Sequence, residues 1–177
     1  MADYGLVPRP RGALGNLVPA AVQPSSLQPG QVAVSVRAVG LNFRDVLNVL
    51  GMYPGDPGNP GSDFAGVVAA ASGSQAASRL PPGTPVFGLA PGCLGTMVHS
   101  TPATLVAMPG NCLSFEEAAS MPTVCTTVQL AFAAAAGVQA GQRVLMPGAA
   151  GGVGLAAVHL LQAKGAQVIA TAGQPAK

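Results

Sequence analysis

The residues best placed to do chemistry lie in the run Gly148, Ala149, Ala150, Gly151, Gly152, Val153 and Gly154. An apolar stretch, Arg143 to Met146, reads as a strand leading into Gly148-x-x-Gly151-x-x-Gly154, and a helix to about Lys164 follows. Glycines at this spacing let the backbone turn tightly and approach a bulky anion. The helix start offers unpaired N–H groups and partial positive charge, so the chemistry implied is pyrophosphate binding. A glycine-rich turn with no ligand is the alternative reading.

The next strand, Gln167 to Thr171, reports the type of nucleotide. A carboxylate about 20 residues beyond the glycines is the usual partner of the ribose hydroxyls of NAD. Here no acidic residue follows Glu117, and the strand runs into Thr171, Gly173 and Lys177. Nothing there repels a 2′-phosphate and Lys177 can pair with one, so NADPH is the expected cofactor. A solvated lysine is the plainer reading of Lys177.

These residues need a scaffold. The chain has 177 residues, 49% of them apolar but only 8% charged, with 24 glycines and 17 prolines. That composition implies a real core, many turns and few long helices. Residues 1–30 read as irregular. Gln31 to Val39 alternate, with Val32, Val34, Val36 and Ala38 on one face of a half-buried strand. A short helix at Phe43 to Leu50 and a Pro/Gly loop at Gly51 to Gly61 follow. Further strands are expected at Gly66–Ala71, Val86–Ala90, Met97–Ser100 and Leu105–Met108, a density that suggests an antiparallel barrel or sandwich.

Near residue 114 the pattern changes. Ser114 and Glu117 form a capping box, Pro122 separates that turn from a helix over Thr123 to about Ala136, and Gly137 ends it. The chain then holds one β-α-β unit. One such unit is not a stable sheet, so the second domain is expected to be incomplete. The boundary is placed at residues 120/121: a β domain over 1–120, and the helices and first β-α-β unit of a nucleotide domain over 121–177.

Several function classes are excluded. A net charge of +2 with no Lys/Arg run does not suggest a nucleic-acid surface. Arg9 and Arg11 fit a solvated N-terminal segment. Cys93, Cys112 and Cys125 contain no CxxC, so reduced, buried thiols are expected. Ala118 to Gln142 is uncharged and long enough to span a bilayer, but Pro122, Gly137 and several polar residues break it, and a buried soluble helix is expected. No signal-like start is present, which fits a cytoplasmic or organellar chain.

Pro10-Arg11-Gly12 with Leu17, Asn42-Phe43-Arg44-Asp45 leading to Tyr53, Gly61-Ser62-Asp63, and the glycine loop together resemble the enoyl reductase domains of polyketide synthases. These are zinc-free medium-chain dehydrogenase/reductases, with quinone reductases as relatives. The resemblance implies a GroES-like β-barrel domain followed by the start of a Rossmann domain. It also implies reduction of an α,β-unsaturated acyl thioester by NADPH, the acyl group arriving on an acyl carrier protein beside the other domains of a synthase. Catalytic roles fall on Tyr53, as α-carbon proton donor, and on Asn42, beside the nicotinamide. Thr126 and Thr127 fall near the cofactor amide. A packed aromatic, a loop-capping asparagine and helix-surface threonines are the plain alternatives. Arg44 and Asp45 are expected to form a local ion pair. Metal-dependent relatives carry Cys and His where Asn42 and Ser62 stand, so no zinc site is expected. Pro147-Gly148 replace a common His-Ala, and Gln129-Leu130 a His-Tyr. An NADPH quinone or alkenal reductase and a non-catalytic module are the competing functions.

Overall fold

The computed structural model describes residues 3–22, 26–110 and 112–173, which divide into two compact units meeting at Pro122 and Thr123. Lys177 lies outside the described residues.

The first unit is antiparallel. Strands β1 (Tyr4–Pro8) and β2 (Leu17–Ala21) pair as a hairpin, in register from Tyr4↔Ala21 to Pro8↔Leu17. The reading of residues 1–30 as irregular is therefore corrected over these two strands. Their prolines hid them, but each strand of a two-stranded ribbon has a free edge where a missing N–H is tolerated. The hairpin joins the rest of the unit where Leu6 N–H donates to the Leu94 carbonyl (2.8 Å) and Thr96 N–H to the Tyr4 carbonyl (2.9 Å).

Strands β3 (Val32–Gly40), β4 (Asp63–Ala71), β5 (Pro85–Leu89), β6 (Met97–Ser100) and β7 (Leu105–Ala107) form a five-stranded sheet in the order β6-β3-β4-β5-β7. One core comprises Val32, Val34, Phe64, Val68, Val86 and Val98, with Val36 and Val39 packed against it. Each fully buried valine contributes about 1.5–3 kcal/mol. A second core holds Ala65, Ala118 and Ala119, with Ala38 and Phe87. The expected face Val32, Val34, Val36, Ala38 thus fails at its last member. A register shift between Val36 and Ala38 moves Ala38 into the other core, as a bulge does.

Helix α1 (Phe43–Val49) follows β3. Helix α2 (Ser74–Arg79) was not legible in the sequence, because six residues with one buried alanine carry no helical period. Helix α3 (Phe115–Ala119) has the expected capping box: Glu117 N–H donates to Ser114 Oγ (3.1 Å) and Ser114 N–H to Glu117 Oε2 (2.8 Å). It lies so close to β3 that a Cβ at Gly40 would collide with the Ala119 carbonyl.

The second unit begins with α4 (Pro122–Val128), which continues as a wider π-helical run, Gln129–Ala135. Gly137, at φ +60°, follows. The expectation of a buried helix is corrected here, since the π-helical run has no buried residue. Among the described residues the unit's one sheet pairs β8 (Arg143–Met146) with β9 (Gln167–Ala170) in parallel, and α5 (Gly152–Ala163), whose buried residues are Gly154, Ala157 and Leu161, packs against both strands. Among the described residues no helix is long and apolar enough to cross a membrane. The expectation of buried thiols holds for Cys93 alone; Cys112 and Cys125 are exposed. A thiol is small and only weakly polar, so its type does not decide its burial.

Candidate functional site

The glycine run forms a strand-turn-helix in the second unit. Gly148 takes φ +66°, which an L side chain rarely adopts. Gly151 N–H donates to the Gly148 carbonyl (3.1 Å), and Ala149 N–H to the Thr171 carbonyl (2.9 Å), tying the turn to the end of β9. Gly154 is buried, and a Cβ there would lie 2.7 Å from Ala149 Cα and collide with the Gly148 carbonyl. Gly152 and Val153 lead α5, so their N–H groups have no acceptor within the helix. They are exposed, as are Gly148, Gly151, Thr171 and Gly173; Ala150 is half-buried. The turn has no carboxylate near it in sequence.

Thr126 and Thr127 are exposed on α4. Thr126, Cys125, Gln129, Leu130 and Leu160 line a largely apolar hollow of about 500 Å³, which no residue of 148–154 lines. On α4, Val124 Cγ1 would lie 4.0 Å from a Cβ added at Gly152.

In the first unit a hydrogen-bonded cluster surrounds Asn42, which occupies the N-cap position of α1. Asp45 is 6% exposed, and its carboxylate accepts from Asn42 N–H (2.9 Å) and Gly61 N–H (2.8 Å). Asn42 Nδ2 donates to Ser62 Oγ (3.2 Å), and Ser62 Oγ to Asp63 Oδ1 (3.3 Å). The two positions at which metal-dependent relatives carry Cys and His therefore meet here as an amide and a hydroxyl. The expected Arg44–Asp45 ion pair is not formed. Consecutive helical residues do not face each other, and Asp45 turns inward while Arg44 stays out.

Cys93 borders this cluster, its Sγ donating to the Asp63 carbonyl (3.4 Å). Burial first, and then the Asp45 and Asp63 carboxylates, push its thiol from the usual 9.0 up to about 12. It is held as an unreactive thiol. Below pH 9 both folded and unfolded chains keep this proton. Between pH 9 and 12 the unfolded chain loses it first, so stability falls with rising pH, by up to about 1.4 kcal/mol per pH unit. Urea unfolding at about pH 8 and about pH 11 will show this slope in the parent chain and a flatter one in Cys93→Ala. Equal slopes would assign the pH dependence elsewhere.

Tyr53 is half-buried in the loop after α1. Its N–H donates to the Leu47 carbonyl (3.2 Å), and the Arg44 guanidinium lies 5.1 Å from its ring centroid. Asn42 and Tyr53 stand beyond opposite ends of α1, whose seven residues rise about 10 Å. Two residues of this loop's surroundings escaped the sequence reading. Arg11 donates from Nε to Asn48 Oδ1 (3.0 Å) and from Nη2 to the Gly58 carbonyl (2.7 Å), and Asn48 Nδ2 donates to the same carbonyl (3.1 Å). Arg11 belonged to the Pro10-Arg11-Gly12 motif, which was the available signal.

Residues 28–131 match the family model of the alcohol dehydrogenase GroES-like domain. Over 99% of its length the chain is 43% identical to the spectinabilin polyketide synthase system protein NorB of Streptomyces orinoci, covering 8% of that protein. Among solved structures, the CurK enoyl reductase superposes over the whole chain with a TM-score of 0.90 at 34% identity, and the chain spans 56% of its length. A quinone oxidoreductase from Pseudomonas syringae superposes over 99% of the chain with a TM-score of 0.81 at 30% identity, and 54% of it is covered.

Proposed function

Since the chain belongs to the alcohol dehydrogenase GroES-like domain family, and its relatives include the enoyl reductase regions of polyketide synthases, we propose that it supplies the catalytic loop and phosphate cradle of an NADPH-dependent enoyl-thioester reductase. The observation that carries this reading is the turn at residues 148–154. Its backbone leaves no space for a Cβ at Gly154, and the N–H groups leading α5 have no helical acceptor. That donor set suits a pyrophosphate. The absence of any acidic residue after Glu117 favours the 2′-phosphorylated form, with Thr171, Gly173 and Lys177 at that end of the cofactor. Asn42, Thr126 and Thr127 are assigned to its carboxamide end.

When bound, the reduced nicotinamide supplies a hydride to the β-carbon of the unsaturated thioester. The double-bond electrons then rest on the thioester oxygen as an enolate. Tyr53 delivers its hydroxyl proton to the α-carbon and regains one from water. The acyl group, in this reading, is presented by an acyl carrier protein of the same synthase.

Tyr53→Phe in the full-length protein is expected to lower crotonyl-thioester turnover by about 100-fold and to change the stereochemistry at the α-carbon. Unchanged rate and stereochemistry would remove the tyrosine from the mechanism. The similarity to a quinone oxidoreductase supports a second reading, a diffusible quinone or alkenal as acceptor. Comparing quinone with crotonyl-thioester turnover decides between the two.

A further inference from the structure

We propose that Arg11 is a positioning residue, clamping the far end of the 51–58 loop so that the Tyr53 hydroxyl is held for proton delivery. This rests on the role given to Tyr53 above. The loop contains Pro54, Pro57 and three glycines in left-handed conformation, Gly51, Gly55 and Gly58, so its own chemistry gives it few internal restraints. Its near end is tied to α1, where Met52 N–H (2.8 Å) and Tyr53 N–H (3.2 Å) share the Leu47 carbonyl. Its far end is tied at Gly58. Both lone pairs of that carbonyl are taken, one by Arg11 Nη2 and one by Asn48 Nδ2, while Asn48 Oδ1 takes Arg11 Nε.

Asn48 is 3% exposed, so this triangle has a buried corner, and its amide both donates and accepts within it. The backbone beside Arg11 is fixed too, Gly12 N–H donating to the Val49 carbonyl (2.9 Å). The ion pair of Arg11 with Asp56, at 3.8 Å between exposed groups, adds little. What matters is the guanidinium's planar fork, which serves two acceptors at once; a lysine ammonium does not match it. Tyr53 sits at the near tie, five residues before the Gly58 tie that Arg11 makes.

The test uses two readouts. The chain has no tryptophan and two tyrosines, so in a Tyr4→Phe background the tyrosine emission comes from Tyr53 alone. Arg11→Ala is expected to raise acrylamide quenching of that emission about twofold, and added methylguanidinium to reverse the change. In the full-length protein, Arg11→Ala is expected to lower kcat about tenfold to a hundredfold with little change in KM for NADPH, and to have no further effect on top of Tyr53→Phe. Should Arg11→Ala fail to fold, Arg11→Lys keeps the stem and is expected to show the same pattern more weakly. Quenching that does not move, or losses that simply add to those of Tyr53→Phe, would overturn the proposal. If Tyr53→Phe is silent by itself, the proton-donor role fails, and the clamp then stands or falls on quenching alone.

Discussion

Gly154→Ala is expected to weaken NADPH binding by at least about 100-fold, some 2.7 kcal/mol. The added methyl group meets only backbone: the Gly148 carbonyl, Ala149 Cα at 2.7 Å and Ala149 C at 2.8 Å. Backbone cannot rotate out of the way as a side chain does. The turn must therefore open, which shifts the N–H groups leading α5 and strains the bond from Ala149 N–H to the Thr171 carbonyl. Two neighbouring glycines serve as controls. A Cβ at Gly151 has its nearest neighbour at 3.6 Å and one at Gly152 at 4.0 Å, and neither residue needs a left-handed backbone. Both alanine variants should keep the parent's circular dichroism and urea midpoint, since the chain itself has room for the methyl group at these positions. Titration following nicotinamide fluorescence, with circular dichroism confirming the fold, gives the answer. Parent-like affinity in Gly154→Ala would mean that the phosphate does not sit at this turn.

Asp45→Ala is expected to destabilise the first unit by about 3 kcal/mol, a large share of the 5–15 kcal/mol typical of a folded domain. The carboxylate accepts from two backbone donors sixteen or fewer residues away, one opening α1 at Asn42 and one closing the loop at Gly61. Removing it leaves both N–H groups without their acceptor, the one at Gly61 in a buried setting. Asp45→Asn retains one accepting oxygen but turns an amide N–H₂ toward the other donor, so it should rescue little. Urea unfolding of each variant measures the loss. A change below about 1 kcal/mol would show that water replaces the carboxylate at these sites.

What the sequence disclosed was mostly local. The glycine turn, the Ser114 capping box, and strands β6 and β8 depend on residues within a few positions of one another, and they were read with nearly correct limits. Asn42 and Tyr53 were singled out through a motif, and the helix read over Phe43 to Leu50 already set them beyond its opposite ends, as α1 does. Contacts between distant segments were invisible. Arg11 reaches Asn48 across 37 positions, and its Pro10-Arg11-Gly12 motif marks the residue without naming that partner. The bulge after Val36 also had no local mark, so alternation predicted the wrong face for Ala38. The π-helical run was read as ordinary helix, because alanines suit either winding and no side chain at 129–135 distinguishes them.

The near contact of Gly40 with Ala119 bears on how such a chain can be recombined. Helix α3 rests on the sheet through Phe115, through two buried alanines and through backbone brought close by a glycine. A chimera with its crossover before Ser114 would pair that shallow seat with a foreign helix, and a single extra methyl group at the contact would lift it off. A junction after Pro122 carries seat and helix together, so grafts of the second unit belong there.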